Sequence, residues 1–148
     1  MKKYLENVPI DCWLHTGRGL GGAQPCICMR AESEGAGLML RAVNELAQEA
    51  APAKRKLTFQ SKRRDAFHSL HLRLSPASTE LRKLSVRVED GTPVLEFTPA
   101  GLAEVTSALE SWIKGGEDFG LHPAAKQSEL GKKDTSSGEL WFWVTMLP

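Results

Sequence analysis

The stretch "LSVRVEDGTPVLEFTPAGLAEV", residues 84 to 105, decides the fold class. Leu84 to Val88 and Val94 to Phe97 have strand character, and Asp90-Gly91 between them is a strong hairpin signal. Thr98-Pro99 then opens a helix, with a hydroxyl to cap it and proline at the first helical position. Leu102, Val105, Leu109, Trp112 and Ile113 make one apolar stripe, and Gly115-Gly116 ends it. A hairpin feeding an amphipathic helix predicts an α+β domain. Its sheet should be mainly antiparallel, with six or seven strands and two helices over one face.

The pattern extends upstream. Val8 to His15, Pro25 to Ala31, Lys56 to Gln60 and Leu70 to Leu74 read as strands. Ser33 is placed to cap a first helix, whose stripe is Leu38, Ala42, Val43, Leu46, Ala47 and Ala50 before Pro52. Downstream, residues 117 to 138 read as a long polar loop. Glu139 to Met146 reads as a last strand, with Leu140, Phe142, Val144 and Met146 on one face and Trp141, Trp143 and Thr145 on the other. Ala36-Gly37-Leu38 and Ala100-Gly101-Leu102 each open a helix after a strand, 64 residues apart, which is either a chance match of three common residues or the trace of an internal duplication.

The chain has 148 residues, 41% of them hydrophobic and 25% charged, which suits one soluble domain spanning the whole sequence. No run reaches the length of a membrane helix, and the start lacks the apolar stretch of a signal peptide. Three cysteines suggest reduced thiols in the cytoplasm. The net charge of +1 hides an asymmetry: residues 52 to 88 carry +8 and residues 89 to 148 carry −6. Such blocks serve either separate binding surfaces or pairing inside the fold.

Few segments suggest catalysis. Gly17, Gly19 and Gly22 in "HTGRGLGGAQPCIC", residues 15 to 28, have dinucleotide-loop spacing. That loop works only when a helix follows at once, and here Pro25 and strand-like alternation follow instead. The expectation is a plain loop and no cofactor. Cys12, His15, Cys26 and Cys28 could be drawn as a zinc site, but Cys12 and His15 fall on opposite faces of a strand, so no metal is expected. His68 and His71 are separated in the same way. Glu117, Asp118 and His122 form the best titratable cluster, although such a loop more often docks by Phe119 and Leu121.

Two segments suggest binding. Lys54, Arg55, Lys56, Lys62, Arg63 and Arg64 in "KRKLTFQSKRR" could displace counterions from nucleic-acid phosphates, or could be solvated loop. Trp141 and Trp143 are either buried beneath other elements or form an aromatic platform for a protein partner or a second copy.

"LEFTPAGLAEV", "SWIKGGEDFGLHP" and "SGELWFWVTMLP" together resemble a group of small bacterial proteins. These share a T-P-x-G-L helix start, an acidic D-F loop and a late E-L-W-F-W strand. The pattern is similar to that of immunity proteins encoded beside polymorphic toxins. The resemblance covers residues 84 to 148 and implies a non-catalytic protein-binding module. It carries over no catalytic residue. On this reading Trp141, Trp143, Asp118, Phe119 and His122 meet the partner, with nucleic-acid binding as the alternative and an enzyme third.

Overall fold

The computed structural model describes residues 4–15, 26–61, 63–76, 84–115, 119–121, 129–130 and 140–145, without the side chains of 4–8, 33, 119, 129–130 and 140–145. Among these residues, ten strands and two helices follow one another. They are β1 (Tyr4–Val8), β2 (Ile10–His15), β3 (Cys26–Ala31), α1 (Ser33–Ala47), β4 (Ala53–Phe59), β5 (Ser69–Leu74), β6 (Leu84–Glu89), β7 (Thr92–Phe97), α2 (Pro99–Gly115), β8 (Phe119–Leu121), β9 (Glu129–Leu130) and β10 (Leu140–Thr145). The fold is α+β in a single domain, and each expected strand has a described counterpart, while the expected ends at Pro25, Glu139 and Met146 lie outside the described residues.

The strands divide into two five-stranded sheets rather than one, ordered β1-β4-β5-β7-β6 and β2-β3-β10-β8-β9. Among the described ladders, β1–β4, β5–β7 and β8–β10 are parallel, and the others are antiparallel. The expected strand from Val8 to His15 is in fact two. Pro9 has no N–H to give a ladder, so pairing stops there. The chain then passes from the edge of the first sheet to the edge of the second. The segment read as one long loop also contributes the short strands β8 and β9.

Local chemistry explains the best-read segment. Asp90 (φ 51°) and Gly91 (φ 76°) both take positive φ, the geometry of a two-residue turn whose twist matches the flanking strands. The Thr98 hydroxyl accepts a hydrogen bond from Gly101 N–H at 3.2 Å, capping α2 as its sequence requires. Leu102, Val105, Leu109 and Trp112 are buried, as the stripe predicts.

The first helix differs from its expected phase. Its cap position is Glu32, with no side-chain capping bond, and Ser33 is already helical. Ala36, Met39, Ala42, Val43 and Leu46 are buried. Leu38 is half-buried, Ala47 is exposed, and Ala50 lies exposed beyond the helix end. The buried stripe is set by packing against both α2 and strands of the two sheets, which favours Met39 over Leu38. Each helix follows an antiparallel hairpin, and their buried phases correspond through Gly35 and Gly101. The two Ala-Gly-Leu triplets therefore sit out of phase.

One core joins these layers. It takes Ile10, Cys12, Ile27 and Met29 from the second sheet, Leu57, Leu70, Leu72, Leu95 and Phe97 from the first, and the inner faces of both helices. Close packing at the Pro9 junction demands glycine at one point: a Cβ on Gly35 would lie 2.6 Å from the Pro9 carbonyl oxygen.

Candidate functional site on the outer face of the second sheet

Alternation along β2 and β3 sends Ile10, Cys12, Ile27, Met29 and Ala31 into the core. Asp11, Trp13 and His15, with Cys26, Cys28 and Arg30, are left for the other face. The ladders align these positions in rows across three strands. Asp11, Arg30 and Trp141 share one row, Trp13, Cys28 and Trp143 the next, and His15, Cys26 and Thr145 the third. Leu140, Phe142 and Val144 are in register with Ala31, Met29 and Ile27. The tryptophan positions of β10 therefore align with the residues of β3 that do not enter the main core.

The β2 side of this face is covered. Trp13, Cys26 and Cys28 form a second small buried cluster. The segment after β4 lies over it. The Ser61 hydroxyl donates to Asp11 Oδ1 at 2.6 Å, and Phe67 N–H donates to the Cys12 carbonyl at 2.7 Å. The Arg63 guanidinium lies 4.0 Å from the Trp13 ring centre and is held by two hydrogen bonds to Asp65. Arg30 donates to the Asp11 carboxylate through both Nε and Nη2, at 3.2 and 2.5 Å. Beside this ion pair opens a cleft of about 140 Å³, lined by Pro9, Asp11, Arg30, Glu32, Glu34 and Gln60. Glu32 and Glu34 are exposed, and Glu34 lies in the first turn of α1, where the helix dipole favours negative charge.

The thiols are poorly placed for nucleophilic work. Burial pushes the Cys12 thiol well above its ordinary range. The Cys26 and Cys28 sulfurs lie 3.5 Å apart. Their contact raises Cys28, with burial adding to the rise, and lowers Cys26. The set Cys12, His15, Cys26 and Cys28 is divided by the sheet, with Cys12 in the main core and the other two cysteines on the opposite face. No group of three His, Cys, Asp or Glu among the described residues is placed to hold a metal.

The glycine segment lies outside the described residues. Its flanks are described, and they form an antiparallel pair from Ile10↔Ala31 to His15↔Cys26. The next described helix starts at Ser33. Asp118 and His122 also lie outside. Phe119 is known by its backbone alone, in register with Phe142 and Leu130.

The basic run is dispersed by the fold. Arg55 faces inward, 6% exposed, and pairs with Glu49 at 2.5 Å. Arg63 is committed to Trp13 and Asp65. Lys62 lies outside the described residues, and Arg64 is exposed. Lys54 and Lys56 stand on the outer face of the first sheet, in register with Arg73 and His71. Partial burial and the Arg73, Lys56 and Lys54 charges hold His71 below its ordinary value. Across this face Arg87 pairs with Glu89 and Glu96, Arg73 with Glu89, and Ser75 donates to Glu96. His68 precedes β5 and is exposed, and its carbonyl accepts the Phe59 N–H.

Sequence reasoning missed Trp13, Asp11 and Arg30 as members of the site. The period of two linking Asp11, Trp13 and His15 was legible, but their alignment with Arg30 and Trp141 depends on pairing between distant segments. Comparison with family models, curated proteins and solved structures finds no match. No helix among the described residues is long and apolar enough to cross a membrane.

Proposed function

We propose that this chain is a non-catalytic protein-binding module of the immunity-protein kind, and that its partner seats on the outer face of the second sheet around Trp141 and Trp143. The observation that carries the reading is the register of β10. Both tryptophan positions align with Arg30 and Cys28 and not with the core residues Ile27, Met29 and Ala31. Tryptophan and arginine are the residue types that most often anchor protein interfaces. The row that contains Trp141 starts at the Asp11–Arg30 pair, beside the acidic cleft, which supplies a polar rim. Three thiols without a disulfide suit a reducing compartment, and we place the encounter in the cytoplasm.

Two measurements test this. In a chain with Trp13→Phe and Trp112→Phe, acrylamide should quench the remaining fluorescence readily in a dilute monomeric sample, and binding a partner should protect it. The purified chain should also form a saturable complex with the toxin domain encoded nearest to it. Replacing Trp141 and Trp143 with Ala should abolish that complex while the circular dichroism spectrum stays unchanged. Shielded indoles in the free monomer, or no complex with and no neutralisation of that toxin, would overturn the reading.

A further inference from the structure

A sheet edge offers unpaired N–H and C=O groups to any strand that can lie along it. Folded proteins blunt such edges by shortness, bulges, cover, proline or inward-facing charge. Among the described strands the four edges are β1, β6, β2 and β9. The pairing of β1 slips between Leu5 and Val8, and Pro9 follows the strand. On β2, the Phe67 N–H covers Cys12. The last edge, β9, is two residues long.

Among the described residues, none of these devices is found at β6. It runs for six residues and pairs with β7 without a slip, from Leu84↔Phe97 to Glu89↔Thr92. It contains no proline, and Leu84, Val86 and Val88, which share one face, are all apolar. Val88 is 39% exposed, one of two exposed large hydrophobic residues among those described. The charge on this edge is neutralised within the sheet, because Arg87 donates to Glu89 on β6 at 2.6 Å and to Glu96 on β7 at 2.9 Å. Among the described residues nothing pairs with the open side of β6.

We propose that β6 is the interface with a second copy of this chain, the two strands pairing antiparallel about a two-fold axis at Val86. Electrostatics selects this register. An axis at Arg87 would set two guanidinium groups directly opposite each other, a destabilising arrangement. An axis at Val88 would leave few strand residues to pair. With the axis at Val86, Val88 meets Leu84 of the second copy, Arg87 meets Ser85, and no like charges are opposed. This interface belongs to the first sheet, so it stands independently of Trp141 and Trp143.

The test is sedimentation of the full chain from low micromolar to near-millimolar concentration. A dimer that dissociates on dilution is expected, and Val88→Lys should weaken it by about tenfold or more. A Val86→Cys chain should cross-link to its own copy under mild oxidation, because Cβ atoms of directly opposed residues lie within disulfide reach. Arg87→Cys, which faces Ser85 in this register, should cross-link far less. A chain that stays monomeric throughout overturns the proposal. So does a dimer indifferent to Val88→Lys, or one that cross-links better through Arg87→Cys. Should Val88→Lys fail to fold, the two cysteine variants decide.

Discussion

The Arg63 guanidinium sits over Trp13, 4.0 Å from the ring centre, and by this contact the segment between β4 and β5 becomes the cover of the second sheet. The geometry suits a cation–π attraction, and two hydrogen bonds to Asp65 hold the guanidinium in place. Arg63→Ala should therefore destabilise the fold by about 1 kcal/mol and make Trp13 more accessible to quenchers. Urea unfolding with fluorescence detection measures both effects. An unchanged midpoint would mean that the Ser61 and Phe67 hydrogen bonds hold the segment without Arg63.

Two neighbouring glycines in α1 should respond in opposite directions to alanine. At Gly35 the new methyl would strike the Pro9 carbonyl, and overpacking of this kind costs about 1–3 kcal/mol. At Gly37 nothing lies within 4 Å, so the gain in helix propensity should stabilise by about 0.8–1.0 kcal/mol. Thermal melts of the two variants should move to either side of the parent.

The Glu49–Arg55 pair is asymmetric, with the arginine 6% exposed and the carboxylate 39%. Glu49→Gln strands a buried cation and should cost somewhat less than the roughly 3–5 kcal/mol of a fully buried pair, since water reaches the carboxylate side. Arg55→Met, which removes the charge itself, should be milder. Denaturant titration of both variants checks the order, and a more damaging Arg55→Met would contradict it.

Acid should weaken the first sheet in two stages. His71 resists protonation in the folded chain, so stability starts to fall as the pH drops below about 6.5, the unfolded value. Glu96 is held low by the Ser75 hydroxyl and then by Arg87, and Glu89 by the Arg87 hydrogen bond. Depressed carboxyls stabilise above their unfolded value, about 4.3, and that contribution disappears as pH falls through the folded values. Stability measured against pH should show both stages. Glu96→Gln should flatten the lower one and leave the upper one unchanged.

Where structure was legible in the sequence, the determinants were local. Asp90-Gly91, the Thr98 cap and the α2 stripe each act within a few residues, and each holds in three dimensions. The division into two sheets was not legible, because pairs such as Trp143↔Cys28 join segments more than a hundred residues apart. Arg55 is an intermediate case. It shares its alternation with Leu57 and Phe59, so its inward direction could have been read from period two alone. Counting it among outward charges overstated the basic surface. The candidate site suffered most, since its rows exist only once β2, β3 and β10 are aligned.

The position of β10 also sets an order of assembly. The first sheet draws all its strands from residues 4–97, so a growing chain can complete it early. The second sheet has β2 and β3 on one side and β8 and β9 on the other, and its middle strand is the last of the described elements to be synthesised. Until that strand arrives, β3 and β8 stand with open edges on a nascent chain whose other half is already folded. Vectorial synthesis thus exposes the tryptophan-bearing sheet for longest, and a ribosome-bound chain arrested before residue 140 is the species from which aggregation should start.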